Sequence, residues 1–291
     1  MASLKLHKSL SEQVSRLQSR GLVINDTAKA EQLLFDLNYY RISGYLHDFK
    51  QPGLDSYVPG LTIERIKRIY DFDRRFARLI MYALEDVEET LKSRFSYTIT
   101  SRFPLDPLIY LRPTIYRKYQ PYLKFLSLCY NKVDANSNLP FVKHHINNYG
   151  GQLPMWVAVE LFTMGNISAL YNNLASNYQK ALAKSYHTGP VQLSNWIENM
   201  TYIRNHLAHY MRVYNFNFGR TPKKCKAHSK YIGVTNKIFD QLFVVAQMYS
   251  DPNDWNTYVI PQLRSLLSDY SDVVGFNAIG FPSNWEYILT L

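Results

Sequence analysis

The sequence predicts an all-α protein. Apolar residues recur at three- and four-residue intervals in several long stretches, which is the spacing of a helix with one buried face. No stretch of strand length alternates between apolar and polar residues, and no Asn-Gly or Asp-Gly pair marks a hairpin. Hydrophobic residues make up 46% of the 291-residue chain, which is enough for a substantial core.

The N-terminal region predicts two amphipathic helices. Residues 5–20 carry leucines and a valine at helical spacing, and Gly21 ends that stretch. Asp26 is a favourable N-cap for a second helix over residues 27–37 because its carboxylate can accept hydrogen bonds from the first free N–H groups. Residues 51–60 contain two Pro-containing turns, so we expect a loop there.

The central region predicts longer helices. Residues 61–100 keep apolar residues at helical spacing over about eight turns, as one or two helices. Three prolines make residues 103–113 a connector. We expect residues 116–131 to be helical, with Pro121 either near the start or at a kink, and residues 155–164 to form a helix that Gly165 ends.

The C-terminal region predicts two further helices and a docked tail. Residues 238–248 are almost entirely apolar, and residues 254–268 are helical with a bend or break at Pro261. Residues 195–215 lie between the central and C-terminal regions and say most about function. Its apolar residues follow helical spacing throughout, so we expect one helix up to Asn215.

Polar side chains on that predicted helix form a second row. Asn205, His209 and Arg212 follow one another at steps of four and three, so they share a face. Arg204 lies on the apolar stripe, where a long side chain must reach out or find a partner; Glu88 on the 61–100 helix is a candidate, although the carboxylates there also fit a solvated face of ion pairs. An imidazole, an amide and two guanidiniums suit an anionic substrate that needs proton transfer.

The segment RNHLAHYMRVYN, which begins at Arg204, resembles the signature of bacterial abortive-infection (Abi) proteins of the HEPN superfamily of helical RNases. That signature is Arg, a polar residue, three others, then His, and Arg204, Asn205 and His209 match it. Of the eight histidines, only His209 has an Arg five positions earlier. Tyr210 stands where relatives often have a second His.

The resemblance implies a HEPN-like helical bundle with additional N- and C-terminal helices. It assigns Arg204, Asn205 and His209 as catalytic residues of a metal-independent endoribonuclease that leaves a 2′,3′-cyclic phosphate. It also implies a homodimer with a shared site, a phage-defence role, and control by or complex formation with a small structured RNA. The domains would be residues 1–60, an N-terminal helical segment, and residues 61–291, the HEPN-like domain, or one continuous domain.

Two further expectations come from the resemblance. The segment around residues 154–171 would pack under the motif helix, with Trp156 in the core and Glu160 as a partner. Tyr39, Tyr40 and Arg41, the Tyr-Tyr-Arg segment, match a segment of the family and have two interpretations. Either Arg41 contacts phosphate and Tyr40 stacks on a base, or the segment is only a helix end that is packed by aromatic residues.

Charge favours an acidic partner. The formal net charge is +10 and the pI is about 9.4, which fits RNA, although lysine-rich surfaces also serve solubility. A basic loop follows the motif helix and is either a phosphate-binding loop or a solvated one. The candidate RNA-binding residues are Arg212, Tyr40, Arg41, Arg220, Lys223, Lys224 and Lys226.

No cofactor and no metal site is expected. The adjacent His144 and His145 would face apart on a helix, and no Cys or carboxylate lies at ligand spacing. Two cysteines suit a reducing compartment, and no apolar run reaches the roughly 18 residues of a membrane span. We therefore expect a cytoplasmic protein that does not insert in membranes.

Two rival functions remain open at this point. The chain could be a non-catalytic RNA-binding module that keeps the motif for phosphate contact. Alternatively, the motif helix could be purely structural, with His209 capping a neighbouring element. A His209→Ala variant separates the RNA-binding module from catalysis, since the module would keep both tight RNA binding and full phage protection.

Overall fold

The computed structural model describes Leu4, residues 6–223 and residues 235–291, and it confirms an all-α protein. Within these ranges, extended backbone forms only isolated bridges, such as the one between Val23 and Thr62, and no strand. No helix in the same ranges is long and apolar enough to cross a bilayer.

Three helices form the N-terminal region: α1 (Leu10–Ser19), α2 (Thr27–Leu37) and α3 (Tyr39–Leu46). Ser9 and Glu12 form a capping box at the start of α1, and the Asp26 side chain accepts from the Lys29 N–H as predicted. Asn38 separates α2 from α3 with a φ of +66° and caps α3 through its side chain. Because α3 packs on the long helix described next, it is joined to the rest of the core.

One long helix, α4 (Ile63–Thr100), organises the fold. Its 38 residues span about 57 Å at 1.5 Å per residue, so the residue 61–100 stretch is one helix. Its apolar stripe is fully buried, with residues such as Phe72 and Phe95 at 0% exposure. Helices from both sides of the motif, and α3, pack against it, so residues distant in sequence meet along one axis.

Shorter helices follow in the central region: α5 (Tyr119–Ala135), α6 (Pro140–Tyr149), α7 (Met155–Ala158), α8 (Met164–Asn173) and α9 (Ser176–Lys184). Pro121 lies near the start of α5, as predicted. The helix predicted over residues 155–164 is wrong. Gly165 does not end a helix, because a Thr163–Asn166 capping box starts α8 at Met164.

The packing expected for Trp156 and Glu160 is also wrong. Trp156 is 54% exposed and Glu160 is exposed, because α7 is a single turn that buries Met155 and Ala158 instead. The helix that packs most closely against the motif helix α10 (Pro190–Ala208) is α8. The segment of residues 154–171 therefore does pack against the motif helix, but through α8, whose residues follow Thr163.

The C-terminal region contains α11 (Ile238–Met248), α12 (Pro252–Asp254), α13 (Ile260–Asp269), α14 (Phe276–Ile279) and α15 (Trp285–Leu289). The predicted break at Pro261 is confirmed, since a π-helical segment, Trp255–Val259, precedes α13. The indole of Trp255 is fully buried and donates to the Leu289 carbonyl at 2.7 Å, which docks the tail as expected.

The motif helix is shorter than predicted. α10 ends at Ala208, whereas apolar spacing predicted a helix to Asn215. Val213 and Tyr214 are buried outside any helix, with their N–H groups bonded to Asp73 of α4. Since a helix would have bonded those N–H groups to its own carbonyls, tertiary contacts override the local spacing here.

Candidate functional site

The end of α10 fixes the backbone of His209. His209 is the C-cap residue, and Tyr210 after it has a φ of +56°. The Tyr210 N–H donates to the Leu207 carbonyl at 2.9 Å and the Met211 N–H to the His206 carbonyl at 3.1 Å, the paired hydrogen bonds of a Schellman motif. A side chain other than Gly costs about 1–2 kcal/mol in this left-handed conformation, so contacts elsewhere must hold it.

A buried carboxylate supplies the first of those contacts. Asp73 of α4 has no exposed surface, and its Oδ1 accepts the N–H of Val213 at 2.8 Å and that of Tyr214 at 2.6 Å. Its Oδ2 accepts the hydroxyl of Tyr45 at 2.7 Å and a hydrogen bond from Arg74. A buried charge is stable only when it is paired and hydrogen-bonded, and here four donors satisfy it.

Three arginines hold the same segment through carbonyls and an ion pair. Arg41 donates to the Tyr210 carbonyl at 3.0 Å, and Arg74 donates to the Met211 carbonyl at 2.8 Å. Arg212 turns away from the motif: its Nη1 donates to the Gly44 carbonyl at 2.6 Å and pairs with the carboxylate of Asp48 at 2.8 Å. Residues 210–214 are therefore tied to α3 and α4 by side chains from both helices. We name residues 210–214 the motif turn.

His206 supports the motif turn from inside. Its imidazole is 8% exposed and packs against Phe216, whose ring centroid lies 4.7 Å away. Its Nε2 lies 2.7 Å from the Arg212 carbonyl; since a carbonyl only accepts, Nε2 carries the proton. Burial lowers the pKa of His206, against the opposing effect of that hydrogen bond. His206 is thus a neutral structural histidine one turn before His209.

Glu88 of the neighbouring helix α4 orients the guanidinium of Arg204. The Arg204 Nε lies 3.5 Å from Glu88 Oε2 on α4, which confirms the predicted interhelical ion pair. Its Nη1 lies 3.4 Å from the Asn205 side-chain oxygen, so the guanidinium reaches toward the face that carries Asn205. The side chain is 37% exposed, and Nη2 has no partner among the described residues. Glu88 therefore aims the guanidinium without occupying all its donors.

The side chain of His209 is free of the contacts that hold the motif turn. It is exposed, and within the described ranges its imidazole makes no hydrogen bond or ion pair. Asn205, one turn earlier on the same face, is also exposed, and its carbonyl accepts the His209 N–H at 3.1 Å. The structure thus brings an accessible imidazole, an amide and a part-exposed guanidinium to the end of one helix.

Exposed aromatic and apolar side chains follow His209 in the chain. Tyr210 is 67% exposed and Met211 is 50% exposed. Tyr40, the residue before Arg41 on α3, is 85% exposed, so aromatic packing does not bury it. Because Arg41 contacts the Tyr210 carbonyl, the Tyr-Tyr-Arg segment and the motif turn form one continuous surface. The alternative in which Tyr40 only packs a helix end does not fit this exposure.

The predicted basic loop is only partly described. Arg220 lies beside α10 with its Nη1 3.4 Å from Glu198 Oε2, and its side chain is 57% exposed. Lys223 is exposed, and its backbone N–H donates to the Asn195 side-chain oxygen at 2.6 Å. Lys224 and Lys226 lie outside the described residues. The start of the loop is thus fastened along α10.

Sequence reasoning missed the supporting residues of the site. Asp73, Arg74 and His206 were not predicted as residues of the site. A signal for Asp73 was present, because it lies four residues after Ile69 and three before Phe76, inside a stripe that is otherwise apolar. A carboxylate at such a position implies buried partners. Those partners are backbone N–H groups, which no sequence pattern identifies.

Comparison with known proteins gives one match. The family model described as Abi-like protein matches residues 32–215, from α2 through the motif turn. No curated protein and no solved structure matches this chain. The matched residues contain the Tyr-Tyr-Arg segment, Asp73, Glu88 and the complete Arg204–His209 motif, and they cover more than half of the chain. The chain therefore belongs to the family of Abi-like proteins, which supports a role in abortive infection, a form of phage defence.

Proposed function

We propose that this protein is a metal-independent endoribonuclease that acts in abortive infection and leaves a 2′,3′-cyclic phosphate and a 5′-hydroxyl. One observation carries the proposal: His209 presents an exposed imidazole, without a partner among the described residues, directly before a turn whose backbone is held by side chains of α3 and α4. Imidazoles accept and donate protons near neutral pH. An exposed histidine with only a structural role would need no such support.

The reaction uses the nucleophile that RNA itself provides. The 2′-oxygen forms a bond to the adjacent phosphorus while its proton passes to His209 as the general base. The bond from phosphorus to the 5′-oxygen breaks, and that oxygen takes a proton from an acid on the opposite side. Arg204 stabilises the added negative charge on the phosphorane, and Asn205 orients the imidazole or a phosphate oxygen. DNA lacks the 2′-hydroxyl and stays intact.

A homodimer supplies the second proton donor. One imidazole does not reach both the attacking and the leaving oxygen, and each chain carries a single copy of the motif. A second copy facing the first would bring in another His209 and complete the acid–base pair. The exposed Tyr210 and Met211 next to His209, and Tyr40 next to Arg41, offer apolar area for such a contact.

RNA binding would use the basic surface around this centre. Tyr40 offers a ring for base stacking, Arg41 and Arg220 lie at the surface, and Lys223 is exposed. Lys224 and Lys226 come next in the sequence. Arg212 contributes indirectly, because its guanidinium is engaged by Asp48. The formal charge of +10 also accommodates a small structured RNA that restrains the enzyme. Purification without nuclease and sequencing of co-eluting RNA tests this last point.

Cleavage of matched RNA and DNA oligonucleotides tests the chemistry. The wild-type protein is expected to cut the RNA in the presence of EDTA and leave the DNA, with cyclic phosphate ends identified by mass spectrometry. His209→Ala and Arg204→Ala are expected to be inactive. Asn217→Ala, at an exposed position beyond the motif turn, is the matched control and stays active. Efficient cleavage of DNA contradicts the proposal.

Mixing wild-type and inactive chains tests the shared site. Wild-type and His209→Ala chains are combined at several ratios, refolded together and assayed. If the base and the acid come from the two chains of a dimer, a dimer with a single His209 is inactive, and activity falls with the square of the wild-type fraction. Activity that falls only in proportion to the wild-type fraction argues against sharing.

A second function has one observation in its favour. Arg204 already pairs with Glu88, which neutralises part of its charge before any phosphate arrives. A non-catalytic RNA-binding module would keep such a pair for stability. It predicts that His209→Ala retains tight RNA binding and full phage protection, whereas the nuclease predicts retained binding with protection lost.

A further inference from the structure

A cleft lies beside the motif helix α10. It opens between α8 and α10 with a volume of about 340 Å³. Its lining residues from α8 are Gly165, Ser168 and Ala169, and those from α10 are Glu198, Thr201 and Tyr202; Arg220 closes one side. The cleft has space for one nucleobase, and the mechanism proposed above makes no use of it.

Polar groups in this cleft have unused hydrogen-bonding capacity. Glu198 Oε1 accepts from the Asn172 amide at 2.9 Å, and Oε2 lies 3.4 Å from Arg220. Each carboxylate oxygen can accept two hydrogen bonds, so both remain available. Ser168 lines the cleft, and its hydroxyl has no hydrogen-bond partner in the part of the chain that the structure describes. That oxygen is not one of the fully buried polar atoms that lack a partner, so it is open to a ligand in the cleft.

The cleft and the motif share one face of α10. Glu198, Tyr202, Asn205 and His209 follow at steps of four, three and four, which aligns them along the helix. Eleven residues separate Glu198 from His209, or about 16 Å along the axis at 1.5 Å per residue. A single-stranded RNA with its phosphate near His209 would therefore place a base at the cleft a few nucleotides from that phosphate.

We propose that this cleft is a guanine-binding subsite that selects where the RNA is cut. This inference rests on the proposed nuclease function. In it, the Glu198 carboxylate accepts hydrogen bonds from guanine N1–H and N2–H, Arg220 donates to O6, and the half-buried Tyr202 ring contacts the base face. Ser168 bonds a remaining polar atom of the nucleotide.

Guanine fits this arrangement better than the other bases. On its Watson–Crick edge, two adjacent nitrogens carry donor hydrogens, which match the two oxygens of one carboxylate. Adenine and cytosine present a single donor group there, and uracil presents one N–H between two carbonyls. The neighbouring cation adds a match to O6, since arginine binds that acceptor well. A carboxylate without a guanine beside it would repel the phosphate backbone.

Binding of uncleavable oligonucleotides tests the subsite. Fluorescence anisotropy is measured with labelled 2′-O-methyl pentanucleotides UUGUU, UUAUU, UUCUU and UUUUU, whose blocked 2′-oxygen prevents cleavage. UUGUU is expected to bind about tenfold more tightly than the others. Glu198→Gln is expected to abolish that preference, because the amide offers a donor where guanine needs an acceptor. Equal binding of all four, or an unchanged preference in Glu198→Gln, overturns the proposal.

Two further variants control for folding and charge. Ala169 is exposed on α8, so Ala169→Trp fills the cleft without disturbing the core, and it is expected to weaken UUGUU binding about tenfold. Glu85→Gln makes the same charge change at an exposed position of α4 and is expected to bind as wild type does. Full UUGUU affinity in Ala169→Trp overturns the placement of the base in this cleft.

The same measurements separate this inference from the nuclease. A protein that cleaves no RNA but prefers UUGUU through Glu198 loses the nuclease function and keeps the guanine subsite. A protein that cleaves RNA, binds all four pentanucleotides equally and shows no base preference at its cut sites keeps the nuclease function and loses the subsite.

Discussion

The two sides of the α10 terminus are built in opposite ways. The backbone of the motif turn is fixed by Asp73, Arg74 and Arg41, from two other helices. The side chain of His209, immediately before it, is exposed and makes no such contact within the described ranges. A rigid backbone with an unengaged side chain is how a catalytic group is presented without being buried. Changes on the two sides should therefore affect different properties.

His209→Ala should give the largest effect, and on activity alone. Removing a general acid–base costs about 10²- to 10⁴-fold in rate, while truncating an exposed side chain changes stability by about 0.5 kcal/mol or less. Initial cleavage rates and urea unfolding of the same preparations check both halves. A variant that loses activity and several kcal/mol together would erase the contrast between the two sides.

Asp73→Ala should have the converse effect. It leaves two buried N–H groups and an arginine without their acceptor, so the free energy of unfolding should fall by about 3–5 kcal/mol. Asp71→Ala is the control on the same helix, since Asp71 makes only a part-exposed ion pair with Lys67 and should cost about 1 kcal/mol or less. Equal losses for the two variants in urea unfolding would show that the buried carboxylate does not hold the motif turn.

Tyr210→Gly should separate strain from function. Gly relieves the left-handed conformation at φ +56°, and the net gain in stability should be about 0.5–1 kcal/mol after the added entropy of the unfolded chain. Cleavage should nevertheless fall, because the exposed ring is lost beside His209. Thermal unfolding and cleavage assays of Tyr210→Gly and Tyr210→Asn provide the measurement. Unchanged stability in both would mean that the turn stores no strain.

The smallest expected effect concerns pH and His206. Because burial lowers the pKa of His206 below the roughly 6.5 of an unfolded histidine, the unfolded chain takes up its proton first on acidification. The contribution to stability is complete above about pH 6.5 and is lost as pH falls through the folded pKa. Urea midpoints between pH 8 and pH 5 should therefore fall more for wild type than for His206→Gln. Parallel curves would contradict this.

Local sequence information predicted much of the scaffold. The periodicity of α4 and α10, the Asp26 cap and the break at Pro261 all depend on neighbours within a few residues. The Glu88–Arg204 pair was predictable because both residues lie at the edge of an apolar stripe, where a charge needs a partner. The predictions that failed concern residues whose conformation depends on contacts with residues distant in the sequence.

The end of α10 shows this dependence. Met211 and Val213 continue the apolar spacing, so the pattern extends past the true end of the helix. Asp73 redirects the chain by binding two backbone N–H groups, an interaction that any residue type could make. The prediction for Trp156 failed for a related reason: the resemblance implied burial, but a helix of one turn has too little surface to bury the side chain.

The contacts from α3 to the motif turn have a practical consequence for engineering. Arg41, Gly44 and Asp48 all lie before residue 61, and all contact Tyr210 or Arg212. A polypeptide shortened to start at residue 61 would therefore lose these anchors even though it retains every motif residue. Affinity tags and reporter fusions belong ahead of α1, where they leave this bracing undisturbed.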